Sequence, residues 1–290
     1  VNVFRTKAEL KAFVAASRQA EQSIGFVPTM GYLHEGHASL LRQARAENDV
    51  AVLSIFVNPL QFGPNEDLDR YPRDEQRDMA LARECGVDAV FMPSVAEMYP
   101  QKPLTTVIVN QITERLCGAS RPGHFDGVGT VVSKLFHLVK PDRAYFGLKD
   151  AQQLAVIQQM VDDLNFEVEV VPCPIVREPD GLALSSRNVY LSAIQRQQAV
   201  VLSQTLEQAE GWLSQPGMTV EQFLRQATDR IQTAGEAVID YVELLRYPGL
   251  QPLDPQQHTA ELGEKLILAL AVKFGATRLI DNRLFESAER

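Results

Sequence analysis

From Ser23 to Pro28 a short apolar run, SIGFVP, ends in Thr-Met-Gly, and the spacing of apolar positions then changes. Leu40, Leu41, Ala44 and Asn48 follow at helical spacing through HASLLRQARAEN, so the unit reads as strand, glycine loop and helix. The run VAVLSIFV over 50–57 is apolar without alternation, the pattern of a parallel strand covered by helices on both faces. Beyond the polar loop FGPNEDLDRYPRD, a helical stretch from Asp74 to Cys85 leads to a short strand, VDAVFM. The alternation resumes with helix TVVSKLFHLVK, strand RAYFG, helix AQQLAVIQQMVDDLN and strand FEVEVV. Parallel neighbours need helical crossovers, so this β-α-β series predicts an α/β fold with a parallel sheet.

The texture changes at VPCPIVREPDG (171–181), where three prolines and a glycine interrupt the pattern. This places a domain boundary, giving a first unit over 1–175 and a second over 176–290. In the second, Val201, Leu202, Leu206, Ala209 and Leu213 mark one amphipathic helix, and Val220, Phe223, Leu224, Ala227 and Ile231 another. The strand-like runs VIDYVELL and KLILALAV follow, which makes a smaller α+β C-terminal domain.

Composition narrows the classes. The 290 residues carry a net charge of −9 and a pI near 5.2, so no basic field exists to gather nucleic acid or anionic lipid, and neither is an expected partner. Cys85, Cys117 and Cys173 form no C-x-x-C, which fits a reducing compartment. The apolar runs fall short of the ~18 to 20 residues that span a bilayer. The opening VNVFRTKAEL lacks the pattern of a secretory leader, so the cytoplasm is the expected location.

The densest chemical signal is Pro28-Thr29-Met30-Gly31-Tyr32-Leu33-His34-Glu35-Gly36-His37, where the first strand gives way to its helix. Ligands of open α/β sheets bind at the carboxyl ends of strands, and a helix N-terminus there offers free N–H groups to an anion. Gly31 and Gly36 let the backbone approach a phosphate, and His34 and His37, three apart, would flank it. A zinc protease needs histidines four apart in H-E-x-x-H, so no metal ligand set is expected, and a loop of no function remains an alternative. The sequence G-x-x-x-x-G-K-[ST] is absent, so a nucleotide site would not be a P-loop.

Taken with three further stretches, the H-x-G-H string resembles the nucleotidyltransferase superfamily and, within it, the pantothenate synthetase (pantoate–β-alanine ligase) family. The stretches are Phe56-Val-Asn-Pro-Leu-Gln-Phe62, Phe146-Gly-Leu-Lys-Asp-Ala-Gln-Gln153 and Leu184-Ser-Ser-Arg-Asn188, and Arg121-Pro-Gly-His-Phe-Asp-Gly-Val128 agrees as well. The resemblance spans nearly the whole chain and implies a Rossmann-like nucleotidyltransferase domain. It implies that ATP is held by residues 28–37, by Gly147, Leu148, Lys149 and Asp150, by Val176, and by Leu184, Ser185, Ser186 and Arg187. It implies that Gln61 contacts pantoate and β-alanine and Gln153 holds pantoate, with Asn58 beside them as a substrate residue. His37 is the family's proton-donor position, and Mg²⁺ on ATP and a homodimer are further implications.

The residue types suit these roles. A glutamine offers neutral hydrogen bonds to hydroxyls and a carboxylate, although Asn58 before Pro59 could equally make a turn. Lys149 offers a point charge to phosphate, whereas Asp150 could cap the following helix. The Leu184–Asn188 loop could follow the triphosphate or merely cap a helix, and its place past the boundary suggests a lid delivered by the second domain. The acidic loop after Gln61 could cover the pocket. The resemblance implies that pantoate attacks the α-phosphorus of ATP and β-alanine then displaces AMP. In that case His34, His37, Lys149, Ser185, Ser186 and Arg187 would stabilise charge. A different H-x-G-H transferase, a tRNA synthetase and a non-catalytic nucleotide sensor are the rival readings.

Overall fold

A computed structural model describes residues 1–64, 66 and 68–286. The chain runs β1 (Asn2–Phe4), α1 (Lys7–Gln19), β2 (Ile24–Thr29), α2 (Glu35–Glu47), β3 (Val50–Ile55), α3 (Glu75–Glu84) and β4 (Ala89–Phe91). Short helices α4 (Val95–Met98) and α5 (Leu116–Ser120) lead to α6 (His124–Val139), β5 (Arg143–Gly147), α7 (Ala151–Leu164) and β6 (Glu169–Cys173). Next come α8 (Ala193–Ala199), α9 (Val201–Leu213), α10 (Val220–Gln232), β7 (Ala237–Arg246), β8 (Leu266–Phe274) and β9 (Thr277–Phe285). The first six strands form one sheet in the order β1-β4-β3-β2-β5-β6 with every pairing parallel, and β7-β8-β9 form an antiparallel sheet.

The missing alternation in the central strands has a simple cause. Successive strand side chains point to opposite faces, and here both faces are apolar. Phe26 and Val52 face a core with Leu10, Val14 and Phe136, while their neighbours Val27 and Leu53 face Leu41, Ala44, Met79 and Ala82. β8 is buried on both faces in the same way. Leu268, Leu270 and Val272 pack on Leu202, Leu206 and Phe223, whereas Ile267 and Ala269 join the core of the large sheet. The C-terminal sheet is therefore seated on the parallel layer.

Several elements depart from the sequence expectation. The helix expected from Thr130 begins at His124, so Gly127 and Gly129 lie inside it and not before it. Both glycines are needed for close approach: a Cβ on Gly127 would lie 2.4 Å from the Leu60 carbonyl oxygen, and one on Gly129 would lie 3.2 Å from that of Val107. The strand expected at 166–171 begins at Glu169, because Asn165 ends α7 with φ 51° and Phe166 turns back onto Phe136. The expectation did not include β1, α1 or β9. α1 opens with a Thr6/Glu9 capping box that the sequence does spell, and β9 was hidden by Asp281 and Asn282, polar residues buried mid-strand.

Gly127→Ala is expected to destabilise the protein by about 1 to 3 kcal/mol, because the methyl group overlaps Leu60 and Gln61 and outweighs any gain in helix propensity. Urea denaturation checks this; an unchanged or raised midpoint would show that the Leu60–Gln61 segment yields freely.

Candidate active site

Strand order reverses at β2, whose sequence neighbour β3 lies on one side and β5 on the other. The crossovers then leave in opposite directions and open a crevice at the carboxyl ends of the strands. Thr29 ends β2, Ile55 ends β3, Gly147 ends β5 and Cys173 ends β6, so the stretches at 28–37, 56–62, 146–153 and 184–188 follow strand ends at this edge.

In the first of them the two histidines form the cap of α2. The His34 Nδ1 accepts from the Gly36 N–H at 3.1 Å, and the His37 Nδ1 accepts from the His34 N–H at 3.2 Å. Gly36 is required here, since a Cβ would sit 2.8 Å from the His34 ring. Burial, then the nearby Lys149 and Arg77 cations, pulls His34 down to about 4. Burial, then His34 and Lys149, holds His37 well below the ordinary imidazole range. Both rings are neutral at pH 7. With each Nδ1 accepting, each ring carries its proton on Nε2, and the rings lie 4.1 Å apart. The sequence reading assigned these residues to charge stabilisation; the geometry makes them neutral donors and leaves formal charge to Lys149 and Arg187.

After β3, Asn58 is buried with its amide fully engaged. Its Nδ2 donates to Gln61 Oε1 and to the Gly127 carbonyl, both at 3.1 Å, and its Oδ1 accepts from the Tyr99 hydroxyl at 2.9 Å. This orients Gln61 so that its Nε2 faces outward beside Met30 Sδ at 3.3 Å. After β5, Asp150 makes no side-chain cap to α7, contrary to the capping alternative, and lies 3.4 Å from the Lys149 Nζ. Gln153 follows one turn on. The Leu184–Arg187 segment lies directly against the histidine loop, with Ser186 Oγ donating to the Tyr32 carbonyl at 3.3 Å.

A cavity of about 230 Å³ is lined by Pro28, Thr29, Met30, His34, Gly36, His37, Asn58, Gln61, Gly147, Gln153, Val176 and Leu184–Arg187. A larger one of about 960 Å³ lies between α5, the start of α7 and the C-terminal sheet, and shares Lys149, Asp150, Gln153, Ser185 and Arg187 with the first. The larger space is lined by neither His34 nor His37, so the shared residues mark where a long ligand would pass from one to the other. Gly31, Tyr32, Leu33, Glu35 and Leu148 line neither cavity. Glu35 pairs instead with Arg42, and the N–H groups of Tyr32 and Leu33 donate to Asp78 at 2.8 and 2.6 Å.

Sequence reasoning missed Asp78, which is buried on α3. Burial pushes its carboxyl up while the two amide donors favour the ionised form. The available signal was an acid on the same helical face as Ala82 and Cys85. Arg121 and His124 form a network around Gln61: Arg121 Nε donates to Glu66 at 2.7 Å, and His124 Nδ1 lies 2.8 Å from the Gln61 carbonyl oxygen. Burial, then Arg121, lowers His124 to about 4. The acidic loop expected as a cover is thus tied to the pocket wall at Glu66, and Tyr190 donates to the Arg70 carbonyl at 2.9 Å; its residues 65 and 67 lie outside the described residues. Among the described residues, no group of three or more His, Cys, Asp or Glu side chains is arranged to hold a metal ion.

A doubly wound sheet with polar strand-end loops converging on one cleft defines an α/β enzyme with a small-molecule site. The chain matches the pantoate-beta-alanine ligase family model over residues 2–284. It is 55% identical over 286 residues to a pantothenate synthetase of Acetivibrio thermocellus, covering 99% of this chain and 100% of the relative. A crystal structure of pantothenate synthetase from Thermus thermophilus is similar at a TM-score of 0.89 and 48% identity, covering 98% of this chain and 99% of that one. A pantoate-beta-alanine ligase from Francisella tularensis, complexed with beta-gamma ATP and beta-alanine, superposes at a TM-score of 0.81 with 36% identity, covering 98% and 97% of the two chains. The chain belongs to the pantoate–β-alanine ligase family, a family of amide-forming ligases.

His34 and His124 are held near 4, below the ordinary value of about 6.5, so the unfolded chain binds protons that the folded chain refuses. Stability is therefore expected to be unaffected by these groups above pH 6.5 and to fall as pH drops from 6.5 toward 4. The loss is on the order of 2 to 3 kcal/mol for each ring. Chemical denaturation between pH 7 and 4.5 checks this, and His124→Gln should flatten the slope; an equally steep profile in that variant would exclude His124 as a source.

Proposed function

We propose that Pro28, Thr29, Met30, His34, Gly36 and His37, with Gly147, Lys149, Asp150, Val176 and residues 184–187, bind ATP, that Gln61 and Gln153 hold pantoate, and that the reaction passes through a pantoyl adenylate. The observation that carries this reading is that two neutral Nε2–H donors and the Lys149 ammonium meet beside the outward amide of Gln61 at the switch point of the sheet. A carboxylate is a poor electrophile and must be activated. A pantoate carboxylate oxygen attacks the α-phosphorus, the bond from that phosphorus to the β-phosphate bridging oxygen breaks, and pyrophosphate leaves. The β-alanine amine then attacks the acyl carbon, the acyl–oxygen bond breaks with departure of AMP, and the nitrogen gives up a proton.

The attacking oxygen is already ionised, so the protein's task in the first step is to stabilise charge that builds on phosphate. His34 and His37 donate from Nε2 without adding charge, Lys149 and Arg187 supply charge, and Ser185 offers its hydroxyl on the wall shared with the larger cavity, where pyrophosphate would leave, while Ser186 spends its proton on the Tyr32 carbonyl and so holds the loop in place. Asn58 acts through Gln61: by holding Oε1 it leaves Nε2 to meet a hydroxyl or carboxylate. The 230 Å³ space between the histidine loop and the Leu184–Arg187 segment is where a mixed anhydride would have to be kept from water.

The donor set fits Mg²⁺ arriving on ATP oxygens and water, with Asp150 the one carboxylate at the shared wall of the two cavities. The ion would neutralise charge on the departing phosphates. Two units, 1–175 and 176–290, are supported by the segregation of the two sheets. A homodimer is supported by the irregular stretch around 104–108, where Leu104 is 95% and Ile108 58% exposed. The cytoplasm is supported by three buried free cysteines; no helix among the described residues is long and apolar enough to cross a membrane.

Pyrophosphate is expected on mixing with ATP and pantoate alone, and AMP on adding β-alanine. Stoichiometric ADP with inorganic phosphate would replace the adenylate by an acyl phosphate. His37→Asn keeps an acceptor for the His34 N–H while deleting the Nε2 donor, so about 10²- to 10³-fold loss of single-turnover adenylation is expected with a melting temperature within a few degrees of wild type. Near wild-type adenylation would reduce His37 to a helix cap.

A further inference from the structure

We infer that Asn282 is a positioning residue, through which the C-terminal sheet sets the place of Lys149, and that its neighbour Asp281 does the same for the Leu184–Arg187 loop. The inference rests on the phosphate-binding reading of those two loops and extends it to two residues of the C-terminal sheet on the wall of the larger cavity. Asn282 sits in β9, 5% exposed, and both protons of its amide are used: Nδ2 donates to the Leu148 and Lys149 carbonyls, each at 2.9 Å. These carbonyls belong to the tight turn that joins β5 to α7 and orients the Lys149 side chain. The turn has no side-chain cap of its own, since the Asp150 carboxylate faces Lys149.

One residue earlier, the buried Asp281 accepts from Arg177 at 2.6 and 2.9 Å. Arg177 also donates to the Gly181 carbonyl at 3.0 Å and pairs with Ala183 in an antiparallel bridge, and the Leu184 N–H donates to the Val176 carbonyl at 3.0 Å. This narrow hairpin delivers Leu184, Ser185, Ser186 and Arg187 to the histidine loop. Successive residues of a strand point to opposite faces, so one short piece of β9 grips both loops at once. Two buried polar residues in the middle of a strand, each with a defined partner in a different loop, are otherwise a costly choice where apolar side chains would pack.

The test uses the full-length protein and the variants Asn282→Ala, Asn282→Asp, Lys149→Ala and the Asn282→Ala/Lys149→Ala pair. The alanine at 282 opens onto the 960 Å³ cavity, so water can reach the two carbonyls and folding is retained; the aspartate keeps the volume but turns oxygen toward both carbonyl oxygens. Asn282→Ala is expected to raise the KM for ATP and slow adenylation, each about 10-fold, with the KM for pantoate within twofold of wild type. Asn282→Asp should lose more. In the Lys149→Ala background the Asn282→Ala loss should vanish, because the residue acts through Lys149. Wild-type ATP kinetics in both 282 variants, with Lys149→Ala impaired, would overturn the positioning role and leave the phosphate-binding reading standing. Losses that add in the double variant, or a rise in both KM values together with the melting temperature falling, would also overturn it. Unimpaired Lys149→Ala would overturn the underlying reading itself.

Discussion

Parallel pairing of β2 with β3 on one side and β5 on the other is the constraint on which the rest of the molecule depends. Because every strand of the sheet points the same way, every strand-end loop at the carboxyl side opens on the same edge. Histidines, amides and a lysine that lie up to about 120 residues apart in sequence then share one crevice without any long excursion of the chain. The sheet can be this regular because its central strands bury mainly apolar side chains on both faces, which leaves the chemistry to the loops at the strand ends.

At that edge electrostatics divides the labour. Burial keeps His34 and His37 neutral, and their Nδ1 atoms are already committed to the backbone of their own loop, so each ring has one fixed donor direction. A neutral donor that needs no reorganisation is suited to an oxygen whose charge grows during reaction. Lys149 both supplies charge and, by its proximity, helps keep the rings from acquiring any. The same economy appears at Gln61, whose oxygen is held by Asn58 and whose nitrogen alone faces the ligand space.

The supports of this arrangement come from elements that carry none of the chemistry. Asp78 on α3 gathers the amides of Tyr32 and Leu33, Gly127 on α6 lets the Leu60–Gln61 turn approach its helix, and β9 holds the loops on either side of the larger cavity. Each is a buried group joined to a distant loop by one or two close contacts.

The alternation of strands and helices, the polar strand-end stretches and the family resemblance were all legible along the chain, because periodicity and loop chemistry are local properties. β5 and the helix beginning at Ala151 were read to within a residue for that reason, as was the place of the histidine loop. The start of α6 was not, since Gly127 and Gly129 signal a break in sequence and their true cause, close packing on Leu60 and Val107, is a contact between distant segments. β9 was hidden likewise: Asp281 and Asn282 read as surface residues until the fold supplies Arg177 and the Leu148–Lys149 carbonyls as buried partners. The neutrality of the histidines also belongs to the tertiary structure, because desolvation and the approach of Lys149 exist only once four separate loops have been brought to one edge.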